Sequence, residues 1–270
     1  MAQLVKMELE KTIKNRMILA ISIIIIFSAL VCNRFYLDYI DGNVVDNLQV
    51  WANINNTRVS SVLMAVMIIV AIGNIFSEEY AINAAELILS TKESKRKLVI
   101  AKILAGLAFA TIMFIIISLI FILNGVATSF ALGDESLSSL IENKGYNMTI
   151  IKGSALGYLL NFAGVLGFSL VVMLVSLMLK NNMTSVVTSL VIYFLPSLIA
   201  LLNIDVAFLN NLRAISFMSL FSGIYIFGSD TTYEILGITF CIPYILIIVL
   251  ILIAIISIYF LRTFGKNQNI

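Results

Sequence analysis

Apolar and polar positions in this chain separate into long blocks rather than short alternations. Six blocks, Met17–Leu37, Val59–Phe76, Ile103–Leu123, Gly153–Leu179, Ser185–Leu202 and Ile238–Leu261, are almost free of charge. Each is close to the ~20 residues that a helix needs to cross a hydrocarbon layer about 30 Å thick. Backbone groups in that layer have no water to bond, so each block is expected to close its hydrogen bonds internally as a helix. The pattern predicts an all-α, polytopic membrane protein, residues 1–270 forming one domain with six transmembrane helices. The first block lacks a small-residue cleavage site, with Asn33, Arg34 and Phe35 in its place, and is read as a retained span.

A further apolar run, Val206–Phe227, carries Asn210, Asn211 and Arg213. An arginine at bilayer depth costs about 2.5 kcal/mol or more on insertion. Residues 203–237 are therefore expected to form an apolar, re-entrant outer segment between helices 5 and 6.

Two polar stretches have a helical pattern of their own. In residues 1–16, Leu4, Val5, Leu9, Thr12 and Ile13 approximate one face, while Lys6, Glu10, Lys11 and Lys14 point elsewhere. Ala2–Asn15 is thus expected to lie in the interface as an amphipathic helix. Residues 77–102 form a charged insert between the second and third blocks. Glu78 and Glu79 suit a helix N-terminus, and Ile82, Ala85 and Leu89 recur at helical spacing. Ser90 and Glu93 fit a capping box, from which a new helix enters the third span. The expectation is a short helix exposed beneath the bilayer, followed by a sharp break.

Composition reinforces the membrane assignment. Hydrophobic residues make up 61% of the chain, charged residues 12%, and mean hydropathy is +1.06, whereas soluble domains are about 25% charged. Charge also orients the chain. Twelve of the 17 basic residues, among them Lys11, Lys102 and Lys180, fall on the side of the N-terminus, the 77–102 insert, the turn at Lys180 and the C-terminal end. Only Arg34, Arg58, Lys144, Lys152 and Arg213 fall opposite. The positive-inside rule makes both termini cytoplasmic in a cell membrane. The basic residues serve as topology signals, and no nucleic-acid partner is implied.

Several chemistries are excluded by residue type. The chain has no histidine, so neither a Ser-His-Asp arrangement nor His-Glu-x-x-His is available. No Gly-x-x-x-x-Gly-Lys-Ser/Thr occurs, so the chain has no P-loop for ATP. Asp38, Asp41 and Asp46 lack the order of a calcium loop. No catalytic, cofactor or metal residue is expected. The spans contain no carboxylates of the kind that ion-driven transporters place near the midplane, offering Asn74 and Asn161 instead. Energy for uphill movement must come from another chain.

Two stripes are candidates for lining a path: Ser60, Met64, Met67, Ala71 and Asn74 on the second span, and Ser185, Ser189, Tyr193 and Ser197 on the fifth. The same spacing also packs helices, which is the reading adopted for Gly153, Gly157, Asn161 and Gly164 on the fourth. Pro196 is expected to kink the fifth helix. Cys32 and Cys241 both fall near outer helix ends, where a disulfide is conceivable but unsupported by spacing.

The run Glu78-Glu79-Tyr80, then Glu86-Leu87-Ile88-Leu89-Ser90-Thr91, then Ser94-Lys95-Arg96 and Lys102, resembles the first cytoplasmic loop of type-2 ATP-binding-cassette (ABC) exporter permeases. Asn83-Ala84 and Lys92 depart from that family's usual Gly-Thr and Pro. The resemblance implies that residues 1–16 form the elbow helix. It further implies that Glu78, Glu79, Ile82, Glu86 and Leu89 couple to a separate nucleotide-binding ATPase, which would hold ATP and Mg. A second permease copy or a homologous permease is the other implied partner, and outward movement of a drug, peptide, antibiotic or lipid-like substrate the implied function. A non-transporting immunity or scaffold protein would need the same dock without a path. A secondary transporter is disfavoured by the missing membrane carboxylates.

Overall fold

The computed structural model describes residues 1–16, 18–24, 26–28, 31, 57–78, 92–131, 140–143, 146–179, 181–201, 216–221, 232–235 and 238–267. Helix α1 (Ala2–Lys14) leads into an apolar helical stretch, Ile18–Ser28. Then follow α2 (Thr57–Ile72), α3 (Lys92–Ala131), the hairpin of β1 (Leu140–Asn143) and β2 (Tyr146–Thr149), α4 (Ile150–Leu179), α5 (Asn182–Leu201) and the single turn α6 (Phe217–Leu220). A second hairpin, β3 (Thr232–Ile235) with β4 (Ile238–Cys241), runs into α7 (Ile242–Asn267).

The body is helical. Lys97–Leu123 within α3 and Lys152–Leu179 within α4 are long and apolar enough to cross a bilayer, with mean hydropathies of 2.8 and 2.5. Ile18–Ser28, Ser60–Ile72, Asn182–Pro196 and Ile247–Tyr259 are shorter apolar helices. Pro196 lies inside α5.

α4 is the hub, packing against α2, α3, α5, α6 and α7. Glycines let its neighbours approach. A Cβ at Gly164 would lie 3.3 Å from Leu220 Cβ of α6, and one at Gly167 would lie 2.9 Å from Leu250 Cδ2 of α7. The buried core runs through Ile68, Ile69 and Ile72 of α2, Phe109 and Ile117 of α3, and Phe168, Val172 and Met173 of α4. Phe168 is ringed by Tyr193, Phe217 and Phe221 at centroid distances of 5.5, 5.0 and 5.8 Å, the usual range for favourable aromatic pairs. Residues 217–221, inside the expected outer segment, thus pack against α4 and α5. Outward faces are apolar too, with Val187, Val191 and Leu195 of α5 and Ile251, Leu252 and Ile255 of α7 exposed. Lipid chains cover such surfaces without the penalty that water imposes.

The observed elements depart from the expected spans in three places. The helix of the third block starts at Lys92, as expected from the charged insert, but runs past Leu123 to Ala131. The sixth begins at Ile242, because Ile238–Cys241 pairs antiparallel with Thr232–Ile235. Both segments are rich in β-branched and aromatic residues and are joined by two residues ending in Gly237. The second helix ends at Ile72 rather than Phe76. Cys32, the expected neighbour of Cys241 at the outer helix ends, lies outside the described residues.

Candidate functional site

The early end of α2 leaves an unusual set of backbone groups to satisfy. Gly73–Phe76 form a turn, closed by Ile75 N donating to Ile72 O at 3.0 Å, and helical geometry resumes at Ser77–Glu78. In a continuous helix the N–H groups of Phe76 and Ser77 would bond the carbonyls of Ile72 and Gly73. Here both donate to Ser176 Oγ on α4, each at 3.2 Å. Ser185 Oγ of α5 donates to Gly73 O at 2.7 Å, and Lys102 Nζ of α3 donates to Ile75 O at 2.6 Å. Side chains from three helices thus replace the interrupted ladder, and Ser77, Lys102, Ser176 and Ser185 are all fully buried. A Cβ at Gly73 would collide with the Ile69 carbonyl and crowd Val186, so the turn has room only for glycine.

Lys102 connects this turn to α1. Its ammonium lies 3.8 Å from a carboxylate oxygen of Glu8 and 5.7 Å from the centre of the Phe76 ring. A buried cation is tolerated only with such partners. A second tie runs from Lys11 of α1 to Glu78, at 3.1 Å; both groups are partly exposed, so the pair contributes at most about 1 kcal/mol. Within α1, Lys14 hydrogen-bonds Glu10 at 2.9 Å and holds that carboxyl below its ordinary pKa.

Of the expected coupling residues, only Glu78 is placed, in the ion pair with Lys11. Glu79, Ile82, Glu86 and Leu89, with the capping-box residue Ser90, lie outside the described residues. Lys102, read from sequence as a basic loop-end residue and topology signal, is instead enclosed by α1, α2 and α3. Its one visible signal is isolation: it follows Leu98-Val-Ile-Ala101 and precedes Ile103-Leu104. Ser176 and Glu8 have no comparable signal.

A recess opens among the helices. Ser60, Ser61 and Met64 of α2, Phe114, Ser118 and Phe121 of α3, Tyr158, Asn161 and Val165 of α4, and Phe221 line it, and it is small, with room for about 20 Å³. Asn161 is 6% exposed and its Oδ1 has no hydrogen-bond partner among the described residues. Of the expected seam, Gly164 makes a close approach to α6, whereas Asn161 lines the recess. Among the described residues no acidic or basic side chain lines this space.

The two candidate path stripes divide. Met64 lines the recess, whereas Met67 faces Ser22, whose hydroxyl lies 3.8 Å from its sulfur. Asn74 belongs to the turn, its buried Oδ1 without a partner among the described residues. Ser185 holds Gly73, and Ser189 donates to Ser185 O of its own helix at 2.8 Å. Tyr193 is fully buried in the aromatic cluster, its hydroxyl facing Ser61 without good hydrogen-bond geometry. The Ser197 side chain lies outside the described residues.

Residues 4–197 match the family described as ABC-2 family transporter protein. The chain belongs to the ABC-2 transporter family. The matched residues take in α1, the turn of α2, the 77–102 insert, α3 and α4, and end within α5. No curated protein matches the chain. As an ABC-2 membrane component it is a transport permease, a subunit that works beside an ABC ATPase in a membrane.

Proposed function

We propose that this chain is the membrane-spanning subunit of an ATP-driven exporter, with six spans, both termini in the cytoplasm and α1 as the interfacial elbow helix. The family match over residues 4–197 carries the reading. The distribution of basic residues supports the orientation, since Lys11 and Lys102 lie together at the turn that follows α2. ATP and Mg belong to the partner ATPase, and a second permease completes the pathway in the cell membrane. Glu78, Glu79, Ile82, Glu86 and Leu89 form the ATPase dock, and Met64, Met67, Asn74, Ser185, Ser189, Tyr193 and Ser197 are the path candidates. The substrate travels outward as a drug, peptide, antibiotic or lipid-like molecule.

Co-purification in mild detergent tests this. The tagged chain should bring down an endogenous ATPase, and the complex should hydrolyse ATP in lipid nanodiscs. Glu79→Lys with Glu86→Lys should reduce recovery of the ATPase or uncouple its hydrolysis, with membrane insertion unchanged. A chain that reaches the membrane and recruits no ATPase would overturn the proposal.

A further inference from the structure

The turn at Gly73–Phe76 has two ways to satisfy its backbone. In the structure, Phe76 and Ser77 N–H bond Ser176, and the carbonyls of Gly73 and Ile75 are taken by Ser185 and Lys102. If α2 ran straight, the same N–H groups would bond Ile72 O and Gly73 O, and the serines could bond back to carbonyls of their own helices. The number of hydrogen bonds is then nearly conserved between the bent and straight arrangements. An element with two satisfied arrangements is what a packed protein needs to pass on a movement, because coupling requires a state that the input can bias.

Lys102 distinguishes the two arrangements. Its bond to Ile75 O at 2.6 Å depends on where the bent turn directs that carbonyl. It also carries the charge that Glu8 of α1 faces at 3.8 Å. The turn lies immediately before Glu78, where the ATPase-facing insert begins, and Glu78 is itself tied to α1 through Lys11. We propose that Lys102 is a positioning residue of the coupling path: it holds the end of α2 bent and joins it to α1, so that displacement of the insert moves both elements together. Ser176 and Ser185 complete the bent arrangement, and Gly73 makes it sterically accessible. This rests on the permease reading above.

The test is hydrogen exchange measured by mass spectrometry on the full chain, co-purified with its ATPase in nanodiscs, without nucleotide and after trapping with ATP and vanadate. In the wild type, exchange of a peptide covering Gly73–Glu78 should change at least threefold between the two conditions. Lys102→Met should bring exchange to one rate in both conditions, at least fivefold faster than the protected wild-type state, while ATP hydrolysis stays within twofold. Lys102→Arg, which keeps charge and donors, should restore most of the nucleotide dependence. A lysine with only a structural role would lower the melting temperature and leave that dependence intact, and this result overturns the proposal. Identical wild-type exchange in both conditions also overturns it. If Lys102→Met does not assemble, Glu8→Gln serves instead, and an unchanged nucleotide dependence there is equally decisive. Absence of any associated ATPase in the wild type defeats the permease reading and this proposal with it, whereas a nucleotide-responsive complex indifferent to Lys102 defeats this proposal alone.

Discussion

Replacing Ser176 with alanine removes one hydroxyl and strands two donors. Its Oγ accepts the N–H groups of Phe76 and Ser77, both at 3.2 Å, in a place where Phe76 is 3% exposed and Ser77 and Ser176 are fully buried. An unsatisfied buried donor costs about 1–3 kcal/mol. The bonds are at the long end of the normal range, and the turn can recover part of the loss by reforming helical bonds. The net expectation is about 2–4 kcal/mol for Ser176→Ala, from two donors at the lower half of the range. With roughly 2–4 °C of melting shift per kcal/mol for a domain near this size, the midpoint should fall by about 4–16 °C. Ser169 is the control. It is on the same helix and equally buried, but its hydroxyl donates to Val165 O of its own helix at 2.7 Å. Because the helix already bonds that carbonyl, Ser169→Ala should cost no more than about 1 kcal/mol. The assay is heating in lipid-supplemented detergent followed by size-exclusion quantification of the surviving protein. Equal shifts for the two alanine variants, or a Ser176→Ala midpoint within about 1 °C of wild type, would refute the claim that this serine holds the turn.

Three more outcomes are expected. Tyr193→Phe should leave stability unchanged or raise it by about 1 kcal/mol, because the hydroxyl is buried without a good partner; thermal melting checks this, and a clear loss would mean that the hydroxyl is bonded. Gly73→Ala should cost about 1–3 kcal/mol because its Cβ meets the Ile69 carbonyl. Gly106→Ala meets the flexible end of Met173, with Ile75 Cδ1 at ordinary contact distance, and should cost less; the reverse order in the same melting assay would show that the turn is not glycine-dependent. Single cysteines at Asn43, Asn143 and Ser229, in a chain lacking Cys32 and Cys241, should react with an impermeant thiol reagent applied to intact cells, whereas ones at Asn83 and Asn267 should not. Labelling at Asn267 would reject the six-span orientation.

The sequence alone determined what depends on neighbours along the chain. Uninterrupted apolar blocks require helices in a bilayer whatever their partners, and α1 with its apolar and charged positions is a local pattern. The missing P-loop and membrane carboxylates pointed to energy supplied by another chain, and the resemblance of the 77–102 insert to an ABC permease loop pointed to the family that the match shows. Local preference also accounts for the missed hairpin at Ile238–Cys241, where strand-forming residues were absorbed into an apolar count. The partners of the broken helix were a different matter. Ser176 meets Phe76 across 100 positions and Ser185 meets Gly73 across 112, and no spacing rule separates Ser176 from Ser169 on one helix. Lys102 looked like another basic residue at a loop end until α1 and the turn of α2 closed over it. Hydropathy acts residue by residue, so it can be read in one dimension. Satisfying a buried carbonyl or ammonium needs a partner at bonding distance, and only the packing of the helices supplies that.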